Sequence, residues 1–243
     1  MIEKLKANLK RIRCYHLIHN LEIELKKATE NEISYLEFIS CLVERECECR
    51  DQNRIKLMLK KSNLPSLKTV DEFDFAYQHS VSKRQVKEWL DFTWIQQREN
   101  KIFMGPPGVG KTHLAIALAY EAIKVGYSAY FYPVNDLIDD LVLAKHNDKF
   151  DEFIKKVAKY DLLVIDEMGY LPFQPLQASL FFQLINYLYE FKSIVITSNK
   201  LFSEWAATFG DQSIATAIID RIIHHAEPLI IDGDSYRMKD KRS

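Results

Sequence analysis

The sequence has no long apolar run. No stretch approaches the roughly 20 residues that a membrane-spanning helix requires, so no membrane partner is expected. Met1 is followed by alternating charged and apolar residues rather than by the apolar core of a secretory signal. Cysteine is scarce, with only Cys14, Cys41, Cys47 and Cys49. Without a secretory signal, these point to reduced thiols and a cytoplasmic location. A zinc site combining Cys41, Cys47 and Cys49 with His16 or His19 matches no standard ligand spacing, so thiols packed as small apolar groups are expected instead. Nor does one charge dominate. Lys and Arg number 33 against 34 Asp and Glu, which excludes a global basic field. Any contact with DNA must therefore come from local patches. Internal repeats and low-complexity segments are also missing.

What is present is enough apolar material for a packed core: 47% hydrophobic residues over 243 positions, in line with an ordinary globular chain. Residues 1–68 read as a small helical domain, with Leu5, Leu9 and Ile12, and later Tyr35, Leu36, Ile39, Leu42 and Val43, at helical spacing. Pro65 ends the charged helix that precedes it. Residues 69–100 read as a linker with the aromatic stretch Phe73-Asp74-Phe75-Ala76-Tyr77 and a leading helix from Lys83 to Gln97. From residue 101 to 243, short apolar runs alternate with helices. The strand candidates are Ile102–Met104, Ala129–Tyr132, Leu162–Ile165, Ile194–Thr197 and Leu229–Ile231. This pattern predicts an α/β fold in which a parallel sheet is covered by helices on both faces.

Three strand ends carry chemistry. The first is Gly105-Pro106-Pro107-Gly108-Val109-Gly110-Lys111-Thr112, a complete G-x-x-x-x-G-K-[ST] between a strand and a helix. Its glycines let backbone N–H groups close around phosphate oxygens, and the helix N-terminus favours the anion. Lys111 is expected on the β- and γ-phosphates of ATP and the Thr112 hydroxyl on Mg²⁺. The second is the apolar strand ending in Asp166-Glu167. Asp166 is expected in the Mg²⁺ shell and Glu167 as the group that activates water. The third is Asn199, after Ile194–Ser198, where an amide can reach the γ-phosphate or the attacking water. No guanine-reading N-K-x-D segment occurs, which favours ATP over GTP. Arg221 is expected either to reach a neighbouring subunit's nucleotide or to pair within the chain with Asp220 or Glu227. Near the end of the chain, Arg237 is expected near the γ-phosphate.

With these residues in place, the chain resembles the AAA+ ATPases, and within them the DnaC-like branch and its IstB-type members. The resemblance covers most of the chain, from the N-terminal helices to the tail, and its residues begin with Asp74-Phe75, the P-loop with His113-Leu114-Ala115, and Asp166-Glu167-Met168-Gly169-Tyr170-Leu171-Pro172. It continues through Leu180-Phe181-Phe182-Gln183-Leu184, Thr197-Ser198-Asn199, Glu204-Trp205, Phe209-Gly210-Asp211, Asp220-Arg221, His224-His225 and Ser235-Tyr236-Arg237. The resemblance implies a five-stranded parallel sheet and Walker A roles for Lys111 and Thr112. It also implies Walker B roles for Asp166 and Glu167, sensor 1 for Asn199 and a trans-acting arginine in Arg221. His113 joins the nucleotide-binding set. A sensor 2 role for Arg237 conflicts with a short tail that lacks the usual helical lid. The same resemblance implies ATP-dependent self-assembly on duplex DNA and delivery of that DNA to a cognate transposase, the N-terminal domain serving partner or self-association. A replicative helicase loader of the DnaC type is the alternative.

DNA contact is expected on Lys145, Lys149, Lys155 and Lys156, between the second and third strands, with a second basic patch at Lys4, Lys6, Lys10, Arg11 and Arg13. Asp148, Asp151 and Glu152 partly cancel the first patch, and a solvated helix face is the competing reading. No recognition-helix pattern is visible, which favours backbone contacts over base reading.

Overall fold

The computed structural model describes residues 1–236 and 238. The chain divides into two compact units, Met1–Leu57 and Met58–Ser243.

The first unit is helical: α1 (Ile2–Arg11), α2 (Tyr15–Glu30) and most of α3 (Tyr35–Lys61). Two charged residues organise it. Glu46 is buried, and its carboxylate accepts the backbone N–H of Leu17 in the first turn of α2 (3.0 Å). Arg50, one turn on, donates to Glu46 (2.9 Å) and to the carbonyls of Ile12 and Arg13, just past the end of α1. One i,i+4 pair thus satisfies a free amide at one helix start and free carbonyls at another helix end. Glu24, also buried, pairs with Arg45 and Lys27.

The second unit carries a five-stranded sheet of β1 (Asn100–Met104), β2 (Ala129–Pro133), β3 (Leu162–Met168), β4 (Ser193–Ser198) and β5 (Ala226–Ile230). The order is β2-β3-β4-β1-β5 and every pairing is parallel. Connections run through α6 (Lys111–Val125), α7 (Val134–His146), α8 (Phe150–Val157), α9 (Pro175–Leu188), α10 (Phe202–Phe209) and α11 (Gln212–Ile223). Strand side chains alternate between faces. Ile102, Met104, Leu163, Ile165, Ile194 and Ile196 join one core cluster with α7 to α11. The alternate positions Phe103, Val164 and Val195 are equally buried and belong to the opposite face, which α6 covers. The sheet is the doubly covered α/β arrangement expected from the alternating pattern.

Two details depart from the sequence reading. The helix expected over Lys83–Gln97 is broken into α4 (Lys83–Glu88), a 3-10 turn (Trp89–Asp91) and α5 (Thr93–Gln96), with Phe92 left-handed at φ 57°. Burial of two indoles overrides the helical period. Trp89 stacks on Phe103 of β1, Trp94 donates to the Trp89 carbonyl (2.9 Å), and both rings lie 5.4 Å from the Lys101 ammonium. The last strand begins at Ala226 rather than Leu229, because it pairs with β1 from Asn100 onward. Pro228 is tolerated within it because β5 is an edge strand.

Part of the family-like pattern is structural punctuation. Gly210, at φ 70°, ends α10, and the Asp211 side chain caps α11 by accepting from Ser213 and Ile214. The Glu204 carboxylate accepts the Leu201 amide at the start of α10 (3.0 Å).

Candidate nucleotide site

The P-loop joins β1 to α6 at the carboxyl end of the parallel sheet, where open α/β sheets bind ligands. Its glycines are required by geometry. Gly108 and Gly110 have φ of 86° and 98°, and a Cβ on them would lie 2.0 Å from the Ser235 hydroxyl oxygen and 2.6 Å from the Phe73 ring. Gly110 begins the 15-residue α6 without any side-chain cap, and the N-terminus of such a helix favours an anion. Lys111 folds back over the loop, its ammonium donating to the carbonyls of Gly105 and Pro106 (2.7 Å each).

The neighbouring strand ends deliver the acidic pair. The Thr112 hydroxyl donates to Asp166 Oδ1 (2.8 Å), and the Thr197 hydroxyl donates to the same oxygen (2.5 Å). Asp166 is buried at the end of β3, while Glu167 is the exposed residue of that strand. Lys111, Thr112, His113, Glu167, Thr197 and Asn199 line one cavity of about 760 Å³, a size suited to a nucleotide-scale ligand. These residues, drawn from three separated segments of sequence, therefore meet at one place. A glycine cradle, an uncapped helix start, one ammonium and a hydroxyl–carboxylate pair form a donor set that fits a nucleoside triphosphate with Mg²⁺.

Another part of the lining comes from residues the motif reading gave no role. Pro65, Lys68, Glu72, Phe73, Gln78 and Tyr236 also line the cavity. His113 ties this part to the P-loop helix through a hydrogen bond to the Thr69 carbonyl (2.9 Å) and an edge contact with Phe73. The Thr69 amide and hydroxyl hold the Glu72 carboxyl below the usual carboxylate range. The Phe73–Tyr77 stretch read as a joining segment thus supplies part of the pocket. The signals available in sequence were its aromatic density and the family-like pair Asp74-Phe75, of which Asp74 lines the cavity.

Arg221 is not among the residues lining this cavity. On α11 its guanidinium donates to Asn186 Oδ1 (2.9 Å) and the Ala217 carbonyl (3.0 Å), and it lies 4.9 Å from the Phe182 ring centre. Neither Asp220 nor Glu227 pairs with it among the described residues. Glu227 instead accepts from Lys101, Gln85 and Trp89. Lys145 and Lys149 lie exposed at the α7–α8 junction, and Lys155 and Lys156 lie exposed in the last turn of α8. Among the described residues none of the four has an ion-pair partner within 4 Å. Arg237 lies outside the described residues.

Comparison with known proteins decides the family. The profile of the IstB-like ATP binding proteins matches residues 7–243. The chain belongs to that family. It is 40% identical over 241 residues to an ATP-binding protein of insertion sequence IS21 from Pseudomonas aeruginosa, covering 99% of this chain and 91% of the relative. It is 43% identical over 215 residues to the corresponding protein of IS5376 from Geobacillus stearothermophilus, covering 88% and 86%. Among solved structures, the DnaC helicase loader superposes with a TM-score of 0.54 at 24% identity, over 71% of this chain and 97% of that one. DnaA bound to AMPPCP and single-stranded DNA gives 0.59 at 23%, over 74% and 55%. The likeness to both shows that this chain shares their fold. No helix among the described residues of this IstB-like chain is long and apolar enough to cross a membrane.

Proposed function

We propose that this IstB-like protein is an ATPase that assembles on duplex DNA, recruits or activates a partner transposase, and uses ATP hydrolysis to control that assembly. The observation that carries the hydrolytic part is that Thr112 and Glu167 line one cavity beside the P-loop, with Asp166 held directly behind Thr112 by its hydroxyl. The transpositional part rests on family membership and on relatives named for insertion sequences. Bound Mg²⁺ would neutralise phosphate charge and polarise the γ-phosphoryl group, with Thr112 and Asp166 as its protein partners. Residues 105–113 bind the phosphates and Lys111 compensates their charge. Glu167 accepts a proton from the attacking water. Asn199, exposed at the cavity wall one residue beyond β4, orients the γ-phosphate or that water.

Arg221 serves a neighbouring copy. Its guanidinium is held by Phe182 and Asn186 and does not line its own nucleotide cavity, and no carboxylate pairs with it among the described residues, which favours action in trans over an intrachain ion pair. Lys145, Lys149, Lys155 and Lys156, from the end of α7 to the end of α8, contact the DNA backbone. The helical unit, Met1–Leu57, grips partners or other copies. The protein acts in the cytoplasm.

Electron microscopy with ATP, with and without duplex DNA, tests assembly, and Lys111→Ala tests its nucleotide dependence. Wild-type protein should form ordered assemblies only with both ligands. Lys111→Ala should neither bind a fluorescent ATP analogue nor assemble. Near-native analogue affinity in that variant would refute the site. A parallel pull-down against the cognate transposase and a replicative helicase separates the two partner classes, and capture of the helicase alone would refute the transposition reading.

A further inference from the structure

Between β3 and β4 the strand pairing slips by one residue. Ile165 faces Ile196 and Met168 faces Ser198, so Asp166 and Glu167 together oppose Thr197 alone. This is a β-bulge, a device that re-aims a side chain and is common beside active sites. Its cost falls on Glu167, whose φ is 65° although it is not glycine. Side chains seldom adopt that conformation, and it persists only where surrounding contacts enforce it.

One side chain enforces it. The Thr197 hydroxyl oxygen accepts the Glu167 backbone N–H (3.0 Å) and donates its own proton to Asp166 Oδ1 (2.5 Å). Thr197 is buried, with 1% exposure, so no solvent competes for either bond. A hydroxyl is suited to this position because it can accept from an amide and donate to a carboxylate at once. Valine has the same shape and can do neither. The kink makes Glu167 the exposed residue at the end of a strand that is otherwise buried, on the wall of the nucleotide cavity.

We propose that Thr197 is a positioning residue that fixes the separation and orientation of Asp166 and Glu167 by bridging the carboxylate of one to the backbone of the other. The proposal rests on the hydrolytic reading of Asp166 and Glu167 given above. The bridge joins the residue assigned to the metal to the residue assigned to water, so its loss should loosen the proton acceptor while leaving the P-loop intact. Alteration of such supporting hydrogen bonds commonly costs about 10–100-fold in activity. The effect should fall mainly on kcat, because the Thr197 hydroxyl, although at the cavity, is engaged by Glu167 and Asp166, while the P-loop is the segment assigned to the phosphates.

The test compares Thr197→Val, Thr197→Ala, Thr197→Ser and Glu167→Gln in the full chain. ATP turnover is measured with Mg²⁺, and equilibrium binding with a fluorescent non-hydrolysable ATP analogue. Thr197→Val and Thr197→Ala should lose about 10–100-fold in kcat with analogue affinity nearly unchanged, and Thr197→Ser should recover most of the rate. Turnover near wild type in the hydroxyl-free variants overturns the proposal. So does a Ser variant as slow as they are, or loss of analogue binding in both hydroxyl-free variants, which would make Thr197 a folding residue. Glu167→Gln separates the two levels. If it alone is inactive, the hydrolytic reading stands and the Thr197 role fails. If Glu167→Gln itself turns over normally, the hydrolytic reading fails.

Discussion

The strand that aims the P-loop contains a buried lysine, and removing its partner should be expensive. Lys101 lies in β1 with a side chain 3% exposed, its ammonium 2.6 Å from Glu227 and 3.7 Å from Glu99, between the indoles of Trp89 and Trp94. Breaking a buried pair from one side costs about 3–5 kcal/mol, because a charge is left without compensation. Two features reduce that here. The Glu227 side chain is 40% exposed, and Glu99 remains within reach. Glu227→Ala should therefore cost about 2–3 kcal/mol, lowering the melting temperature of this unit by about 5–10 °C. Lys101→Met removes the charge but keeps an apolar stem between the indoles, and it leaves Glu227 with Gln85, Trp89 and solvent. Its cost should be about 1 kcal/mol or less. Urea unfolding followed by tryptophan fluorescence isolates the effect, because Trp89, Trp94 and Trp205 all lie in the second unit. Burial alone pushes the Glu227 carboxyl up, but its hydrogen bonds from Lys101, Gln85 and Trp89 outweigh burial and hold it below the usual range. A carboxylate depressed by folding stabilises above its unfolded pKa, and that contribution disappears as pH falls through the lower folded value. The difference between wild type and Glu227→Ala should thus narrow on acidification below the usual carboxylate range. Equal costs for Lys101→Met and Glu227→Ala, or a gap that widens at low pH, would refute the argument.

Arg221→Ala should bind ATP normally and lose about 10³–10⁵ in hydrolysis within the assembly. Mixing it with Glu167→Gln subunits should restore activity above either variant, and mixed assemblies that remain inactive would refute action in trans. Replacing Lys145, Lys149, Lys155 and Lys156 by Gln should weaken binding to unrelated duplexes about equally and flatten the salt dependence, by up to about 0.9 in log–log slope for each phosphate no longer neutralised; a salt titration with two sequences checks it. Asn100→Ala should cost about 2–4 kcal/mol by chemical denaturation, since its buried amide serves both the Ile194 N–H and the Ile222 carbonyl.

The sheet and the phosphate loop were legible because both are local. Each strand is a short apolar run, and the P-loop is one uninterrupted segment whose glycines are demanded by its own backbone. The acidic pair was legible for the same reason. Thr197 was not, because its role exists only across the β3–β4 pairing and depends on a one-residue slip that no single strand displays. Lys101 and Glu46 were illegible because a charged residue in sequence reads as solvated. Lys101 finds its compensation at Glu227, far along the chain, and Glu46 finds its own at the amide of Leu17. The break at Phe92 was hidden similarly, since the apolar spacing of Val86, Trp89, Leu90 and Trp94 is helical until the indoles are required to embrace Lys101.

The Phe181-Phe182-Gln183 stretch shows why a matching motif does not define one role. Successive residues on a helix point about 100° apart, so neighbours on α9 serve different surroundings. Phe181 is buried and packs with Phe173 and Phe209. Phe182 is half-buried and lies under the Arg221 guanidinium, and Asn186, four residues on and hence on the same helix face, accepts its hydrogen bond. A planar cation held by a ring face and an amide loses less freedom on meeting a phosphate than a freely rotating one. Substitution at Phe181 should therefore act through folding. Substitution at Phe182 or Asn186 should act through the orientation of Arg221, leaving nucleotide affinity intact while slowing turnover in the assembly.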